Sequence, residues 1–416
     1  MRRRPRGGGG PPFLLTPLGI VFSTVLIDLI GFGIVLPLVP LYAKEFGASP
    51  VVIGLLTASY ALMQLVFAPI WGRVSDRVGR RPVILVTLAG SAVAWLIFGL
   101  AGALWMLFLA RILDGISGAS YAAAQAYVAD VTTGEDRVRG MGLIGAAFGL
   151  GFIIGPAMGA GFAVIDRRVP FLVASGLALA NLALAYRRLP ESRPPDLQRP
   201  PAPGRWLVLR RTLASRELAP MVWLSFVSMF AFVGMESTFA LFGQDRYDFG
   251  LAETGLVFAF IGVVSAAAQG AAVHRVSARY GEMRVLVAGL AFTGLAFVLL
   301  AASDALWQLF PILFVLAGAS GLVFPTVTAI VSRRTGEHEQ GGTLGVLAST
   351  GGLARLLAPV AATALFQGVA IGAPLVVGGV LFAACAALAA SRLVRTDAGS
   401  PQVASESPAG EGQAAR

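Results

Sequence analysis

Long apolar stretches, separated by short polar segments, run along almost the whole of this 416-residue chain. A helix that crosses the hydrocarbon core of a bilayer needs roughly 20 predominantly apolar residues. The pattern therefore predicts an all-α membrane protein with twelve transmembrane helices. The predicted spans are residues 17–41, 51–71, 83–101, 104–127, 141–163, 169–187, 219–241, 251–273, 284–302, 306–330, 343–366 and 371–392.

The composition agrees with a protein that crosses the membrane many times. Hydrophobic residues make up 56% of the chain and charged residues 13%, whereas about a quarter of a typical soluble domain is charged. The 51 glycines also fit, because small residues let membrane helices pack closely.

Positive charge lies on one side of the predicted spans. The chain has a net charge of +10, and its arginines cluster before span 1 and after the even-numbered spans. The alternate loops hold only Lys44, Arg167, Arg168 and Arg246. By the positive-inside rule both termini are cytoplasmic. The basic balance therefore reflects membrane topology, and we expect no nucleic-acid partner.

The first apolar stretch is predicted to be a span and not a cleaved signal peptide. It is much longer than an h-region of about 7–15 residues, and it contains Asp28.

The single cysteine, Cys385, excludes an intramolecular disulfide. The two histidines, His274 and His338, are too few and too far apart for a metal site. We expect neither a metal nor another cofactor.

The chain contains an internal repeat. The segment RVSDRVGRR at 73–81 aligns with RVSARYGEM at 275–283, so each half holds six spans. Transporters built from two such halves place their substrate site between the halves, near the membrane midplane; this argument rests on fold alone.

Within the linker between the halves, residues 206–218 predict a short helix on the membrane surface. The predicted divisions are a cytoplasmic tail (1–13), an N-terminal half (14–190), a cytoplasmic linker (191–218), a C-terminal half (219–394) and a disordered cytoplasmic tail (395–416).

A charged motif lies between spans 2 and 3, in the segment GRVSDRVGRRP at 72–82. It matches the signature G-x-x-x-D-R-x-G-R-[RK] at every defined position and resembles the cytoplasmic gating motif of the major facilitator superfamily. We expect Gly72 to permit close helix contact, Gly79 to permit a tight turn and Asp76 to lie at a helix N-terminus. Positive-inside topology alone would explain the arginines, but neither Asp76 nor the glycine spacing. The predicted gating residues are Gly72, Asp76, Arg77, Gly79, Arg80 and Arg81, with Asp130 joining them from the end of span 4.

Span 5 contains the segment GLIGAAFGLGFIIGPAMGA at 142–160, which resembles a motif of the antiporters in that superfamily. Glycines on one helix face let a second helix approach closely, and a proline kinks the helix. Close packing there would resist a leak through the empty carrier, although generic small-residue packing explains the pattern as well. The motif residues are Gly142, Gly151, Gly155, Pro156 and Gly159.

Three further segments resemble the twelve-span drug:proton antiporters, and especially the tetracycline exporters. They are Asp28 with the following IGFGIVLPLVP, the segment 110–142, and FGQDRYDFG at 242–250. The resemblance covers about residues 15–395 and implies a multi-pass exporter of the bacterial inner membrane, driven by the proton gradient and functional as a monomer. Ala94 and Thr293 stand where the tetracycline exporters carry acids, so we expect a different substrate.

Charged residues inside the predicted spans are candidates for proton coupling and for the substrate cavity, because a charge in hydrocarbon is costly unless it faces water or a partner. Asp28 is the first candidate for proton coupling. Arg111 and Asp114 lie on one helix face; they form either a self-contained ion pair or part of the cavity, where Arg111 biases the protonation of an opposing carboxylate. Glu236 either attracts a cation or a proton, or pairs with a cationic side chain at the outer rim. The remaining candidates are Gln64, Gln125 and Arg355.

These features predict a proton-coupled secondary active transporter that exports small amphipathic molecules or drugs by alternating access. The alternatives are a carrier of a specific metabolite, such as a sugar or amino-acid derivative, and a transport-inactive membrane sensor; the complete motifs argue against the sensor. No nucleophile–base pair, phosphate loop or metal cluster is recognisable in the sequence, so we do not expect an enzyme. The expected partners are a small-molecule substrate and the lipid bilayer.

Overall fold

The chain folds almost entirely into α-helices. The computed structural model describes residues 16–118, 120–192, 205–336 and 339–398. A π-helical segment (Ala268–Ala272) joins α11 to α12. The helices are α1 (Pro17–Val35), α2 (Val39–Glu45), α3 (Pro50–Val78), α4 (Arg80–Gly99), α5 (Leu104–Ser117), α6 (Ser120–Val131), α7 (Gly134–Ala163), α8 (Val169–Arg188), α9 (Arg205–Ala214), α10 (Leu218–Tyr247), α11 (Leu251–Ala267), α12 (Val273–Tyr280), α13 (Glu282–Ala302), α14 (Leu306–Arg333), α15 (Gln340–Gly368) and α16 (Ala373–Ala398).

The described residues contain 11 helices that are long and apolar enough to cross a membrane. The remaining predicted span, span 4, is formed by α5 and α6, each of which is too short to cross alone. The predicted all-α membrane fold of twelve spans is therefore confirmed. Residues 1–15, 193–204 and 399–416, which hold most of the predicted tails and part of the linker, lie outside the described residues.

The prediction of an uninterrupted span 4 is wrong. Helix α5 ends at Ser117, with Gly118 as its C-cap, and α6 begins at Ser120. Span 1 also ends earlier than predicted: α1 stops at Val35, and the chain turns through Pro37 before α2. A proline has no backbone N–H to continue the helical ladder.

The connection between spans 2 and 3 is a single residue, so the prediction that residues 72–82 lie between the two spans is wrong. Most of the charged motif belongs to the last turns of α3, which ends at Val78, and α4 begins at Arg80. Gly79 between them has φ +103°, a conformation that costs glycine little and other residues much. The tight turn expected at Gly79 is thus present.

Consecutive spans run in opposite directions, which gives the bundle two ends. We call the end where α1 finishes and α3 begins the Lys44 end. We call the end where α3 finishes and α4 begins the Arg80 end. At the Lys44 end one buried hydrophobic cluster includes Leu38 and Tyr42 of the N-terminal half and Phe239 and Phe242 of the C-terminal half. The halves therefore share a core at that end.

Helix α9 overlaps the linker segment predicted to be helical, residues 206–218. A Cβ added at Gly342 of α15 would lie 2.8 Å from the Val208 side chain of α9. In addition, Arg211 Nη1 of α9 lies 3.5 Å from Glu339 Oε1. The helix therefore docks on the C-terminal half. Its placement on a membrane surface stays a prediction.

Candidate functional site

A buried ion pair lies on α5. The Arg111 Nη1 atom is 3.7 Å from the Asp114 Oδ2 atom, and Arg111 is only 1% exposed. The guanidinium carbon lies 5.4 Å from the centroid of the Tyr60 ring, and Ser91 lies beside the Asp114 carboxylate. Within the described residues, Asp114 Oδ2 and Arg111 Nε and Nη1 have no hydrogen-bond partner. Buried charges that lack their full set of hydrogen bonds are costly, so this pair is a candidate for function.

The break in span 4 lies one turn beyond that pair. It frees backbone carbonyls inside the membrane, where unsatisfied polar groups cost several kcal/mol. Side chains of α3 satisfy two of them: Trp71 Nε1 donates to the Ile116 carbonyl at 2.6 Å, and Gln64 Nε2 donates to the Gly118 carbonyl at 3.2 Å. The predicted cavity residue Gln64 therefore stabilises the break. It also donates to the Tyr60 hydroxyl at 3.1 Å.

Asp28 lies on α1, close to the same pair. Its side chain is half-buried and lines a small cavity together with Thr24 and Ile84. Electrostatic interactions link the Asp28 carboxylate to Asp114 and to Tyr60. Three spans of the N-terminal half thus bring these groups together.

The C-terminal half contributes a second pair of opposite charges. Arg355 on α15 interacts electrostatically with Glu236 on α10 and with Tyr60 on α3. Glu236 therefore has a cationic neighbour, but that neighbour lies in the middle of α15 and not at the outer rim. Tyr60 is the point at which charges from both halves meet.

An aromatic row extends from that point. The Phe32 ring lies 5.7 Å from the Tyr60 ring and 6.1 Å from the Phe152 ring, and Phe148 stacks on Phe152 at 4.7 Å. These aromatic rings provide an apolar surface beside the charges. Gln125 is half-buried on α6, and the structure describes no hydrogen bond that ties it to the site.

At the Arg80 end the charged motif forms a compact cluster. The Arg80 guanidinium, on a residue only 3% exposed, lies 2.7 Å from Asp76 Oδ1 and 2.9 Å from Asp130 Oδ2 and donates to Ser75 Oγ at 3.0 Å. Asp76 lies near the C-terminal end of α3, and its expected place against a helix N-terminus stays a prediction. Arg77 is exposed there.

The acid at the N-terminus of α4 is Glu191, which the sequence reasoning missed. Its carboxylate accepts the backbone N–H groups of Arg80 at 2.8 Å and of Arg81 at 3.1 Å, next to the turn at Gly79. Arg81 in turn donates to the Tyr186 carbonyl at 2.7 Å. Glu191 thus ties the end of span 6 to the charged motif. A signal was present: the first N–H groups of a helix need acceptors, and α4 has no acid in its first turn.

Glu191→Ala is expected to lower the stability of the purified protein. Loss of a side chain that caps a helix N-terminus costs about 0.5–2 kcal/mol. Thermal unfolding in detergent should show a lower midpoint for this variant. Glu217→Ala is the matched control, because Glu217 precedes α10 without capping it through its side chain. Equal midpoints for the two variants would contradict the capping role.

Three glycines of the span 5 motif hold α7 against α1. A Cβ added at Gly151, Gly155 or Gly159 would lie 2.6, 2.7 or 2.8 Å from atoms of α1, closer than any real side chain tolerates. At Gly155 the nearest atoms are the backbone of Gly33. Gly142 differs, since a Cβ there would meet no described atom within 4 Å. Close packing is therefore present at three of the four motif glycines.

The other face of α7 contacts the C-terminal half, and a matching contact relates α3 to α15. A Cβ at Gly255 would lie 2.9 Å from the Pro156 carbonyl oxygen, and one at Gly54 would lie 2.7 Å from the Pro359 carbonyl oxygen. Each crossing thus places a glycine of one half over a proline carbonyl of the other. The motif residue Pro156 lies at one of these two crossings.

Polar contacts also join the halves at the Lys44 end. The Lys44 ammonium donates to Gln244 Oε1 at 2.7 Å and lies 3.1 Å from Asp245 Oδ1. The backbone N–H of Val51 donates to Gln367 Oε1 at 3.2 Å. Sequence reasoning missed these contacts, because polar side chains are ordinary at the ends of spans.

The paired helices separate toward the Arg80 end. A Cβ at Gly352 of α15 would still lie 3.3 Å from Leu65 of α3. Two turns closer to the Arg80 end, Gly72 of α3 lies opposite Gly345 of α15 in the same antiparallel register. A Cβ at either glycine would meet no described atom within 4 Å. The close contact expected at Gly72 is therefore absent from this conformation.

Helices α7 and α11 show the same divergence. A Cβ at Gly149 would lie 3.8 Å from Ala266. One turn closer to the Arg80 end, Gly145 of α7 lies opposite Gly270 of the π-helical segment. A Cβ at either glycine would meet no described atom within 4 Å. Both interfaces between the halves therefore end in a pair of glycines with open space.

The two positions that lack the expected acids are buried in the structure. Ala94 and Thr293 are both fully buried, and the Thr293 hydroxyl donates to the Gly289 carbonyl of its own helix at 2.7 Å. In this conformation both side chains are packed between helices.

Comparison with known sequences agrees with this architecture. The sequence profile described as Major Facilitator Superfamily matches residues 21–277 and 270–412. The chain belongs to the major facilitator superfamily. It is 34% identical to the class C tetracycline resistance protein of Escherichia coli over 379 residues, which are 88% of this chain and 94% of that protein. It is 30% identical to multidrug resistance protein 1 of Bacillus subtilis (strain 168) over 358 residues, 84% of this chain and 90% of that protein.

Solved transporters of this superfamily share the fold. The human organic anion transporter MFSD10 (TETRAN) superposes with a TM-score of 0.70 at 25% identity, covering 91% of this chain and 100% of that one. A bacterial homolog of the human lysosomal transporter Spinster, in an inward-facing and unoccupied conformation, superposes with a TM-score of 0.76 at 16% identity, covering 94% of this chain and 100% of that one. This superfamily member is therefore a multi-pass membrane transporter.

Proposed function

We propose that the chain is a proton-coupled exporter of small amphipathic molecules that works by alternating access. The observation that carries the proposal is the group of charged side chains around Tyr60, to which both halves contribute. A site built from both halves changes whenever the halves move relative to each other. The resistance functions named for the relatives support export of toxic compounds.

The charges around Tyr60 suggest how protons and substrate compete. The group contains three acids and two arginines: Asp28, Asp114, Glu236, Arg111 and Arg355. With all three carboxylates ionised, the group carries one net negative charge. One proton or one monovalent cation neutralises it, and carrying either avoids moving a net charge through hydrocarbon. A cationic amphipathic substrate and a proton would therefore exclude each other, which is the requirement for exchange.

The contacts between the halves support alternating access. They lie toward the Lys44 end, while the glycine pairs Gly72/Gly345 and Gly145/Gly270 have open space near the Arg80 end. If the halves rock about the central site, the crossings at Gly54 and Gly255 open as the glycine pairs close. By the positive-inside rule the Arg80 end faces the cytoplasm, so this conformation is open to the cytoplasm. We propose the bacterial inner membrane as its location, with cytoplasmic termini and the monomer as working unit.

Engineered cysteine pairs test this motion. In a Cys385→Ser background, Lys44→Cys with Asp245→Cys should crosslink in the resting state. Gly72→Cys with Gly345→Cys should crosslink only when the carrier turns over. Each crosslink should block transport until a reductant is added, and the single-cysteine variants should transport with and without oxidant. Unimpeded transport with either pair fully crosslinked would contradict alternating access.

Tetracycline is expected to be a poor substrate despite the relatives' names. The positions of Ala94 and Thr293 offer no carboxylate, and both are buried between helices. Cells that express the chain should show no measurable protection from tetracycline, but should tolerate at least one amphipathic cation in a growth panel. Strong protection from tetracycline alone would contradict this substrate assignment.

Transport assays separate the proposal from its alternatives. Vesicles that contain the purified protein should exchange an amphipathic compound across the membrane, and should accumulate it against its gradient when protons flow the other way. A metabolite carrier would exchange a sugar or an amino-acid derivative in the same assay and none of the amphipathic compounds. A transport-inactive sensor would exchange neither class.

A further inference from the structure

An open groove lies between α13 and α14, away from the charges around Tyr60. Its volume is about 950 Å³ with the open side included. Small residues such as Ala288 and Gly318 line it together with large aromatic ones, Phe292 and Phe314. Because small residues leave a helix surface lower than the aromatic side chains beside them, this lining forms a depression.

The groove faces the membrane. Helices α13 and α14 are both long and apolar enough to span it, and Phe292 and Phe314 are 53% and 60% exposed. From Arg284 to Phe292 the groove runs about 12 Å along α13, at 1.5 Å per residue. That length fits within one leaflet of a hydrocarbon core about 30 Å thick. The surroundings of the groove are therefore acyl chains.

Basic side chains lie at the Arg80 end of the groove. Arg284 and Tyr280 line it there, and the Arg279 guanidinium lies 5.4 Å from the centroid of the Tyr280 ring. Glu282, at the start of α13, pairs with Arg333, whose Nη2 atom lies 2.9 Å from Glu282 Oε1. Basic pockets between membrane helices at the cytoplasmic side are suited to anionic lipid headgroups, and tyrosines are common at that depth.

We propose that this groove is a binding site for an anionic phospholipid. One acyl chain lies between α13 and α14, and the phosphate lies at Arg284. The apolar length of the groove and its charged end match the two parts of such a lipid. A zwitterionic phospholipid would fill the same groove but would gain less from the arginines.

Native mass spectrometry of the purified protein tests the site. Phosphatidylglycerol and phosphatidylcholine with the same acyl chains are the probes. The wild-type protein should retain phosphatidylglycerol in preference. Arg284→Gln should weaken phosphatidylglycerol binding by about fivefold, the factor that one membrane-surface arginine contributes. Ala288→Phe should fill the groove and weaken the binding of both lipids.

Two exposed residues of α8, Gly176 and Arg188, provide matched controls for the groove variants. Arg188→Gln removes an exposed arginine at the same end of the bundle. Gly176→Leu adds a side chain where a Cβ would meet no described atom within 4 Å. Both controls should bind lipid as the wild type does. Equal retention of the two lipids by the wild type, or equal losses in the controls, would overturn the proposal. Displacement of the bound lipid by a transported compound would assign the groove to substrate instead.

Discussion

Asp28→Asn is expected to abolish the response of transport to an imposed pH gradient. Asparagine keeps the shape of the side chain and most of its hydrogen bonding, but it cannot take up or release a proton. Gradient-driven accumulation in vesicles should fall to the level of vesicles without protein. Exchange of substrate for substrate without a gradient should be less affected, because that process needs no net proton movement.

Two comparisons make this prediction specific. Asp136→Asn changes an exposed acid on α7 and should respond to the gradient as the wild type does. Glu236→Gln tests the acidic candidate of the C-terminal half, whose charge already has Arg355 as neighbour; it should retain part of the response. A full response in the Asp28→Asn vesicles, with loss in the Glu236→Gln vesicles, would move proton coupling to the C-terminal half.

Gly155→Leu is expected to destabilise the protein strongly. A Cβ at that position would lie 2.7 Å from the backbone of Gly33, and backbone cannot move aside as a flexible side chain does. Overpacking a tightly packed site typically costs about 1–3 kcal/mol, and sometimes more. The purified variant should unfold at a lower temperature, and its vesicles should leak protons because the packing between α1 and α7 is lost.

Gly142→Leu provides the matched control within the same motif. A Cβ at Gly142 would meet no described atom within 4 Å, so the variant should unfold at the wild-type temperature. If both variants were equally destabilised, close packing between α1 and α7 would not explain the motif. If neither were, the helices would have to be further apart than the structure places them.

Much of the fold follows from the sequence because span length and hydropathy are local properties. The break at Gly118 is different, since its freed carbonyls are tolerated only where Gln64 and Trp71 of another helix donate hydrogen bonds to them. The single-residue connection at Gly79 was likewise hidden, because charged residues in the last turns of a helix resemble a loop. These features depend on neighbours that a hydropathy pattern cannot provide.

The candidate site divides in the same way. Asp28, Arg111 and Asp114 were predictable, since a charge within an apolar stretch is conspicuous. Glu191 was not, because an acid in a polar linker is ordinary until α4 is seen to begin beside it. The glycines of the span 5 motif look equivalent in the sequence. Only the position of α1 separates Gly155, which is tightly packed, from Gly142.

The most direct test of the central claim is proton release from the purified protein on addition of substrate. A pH indicator in weakly buffered detergent solution records the release, and a panel of amphipathic cations supplies the ligands. If a proton and a cation compete for the charges around Tyr60, an effective compound should release protons from the wild type and none from Asp28→Asn. Binding of a transported compound to the wild type without any proton release would contradict the account.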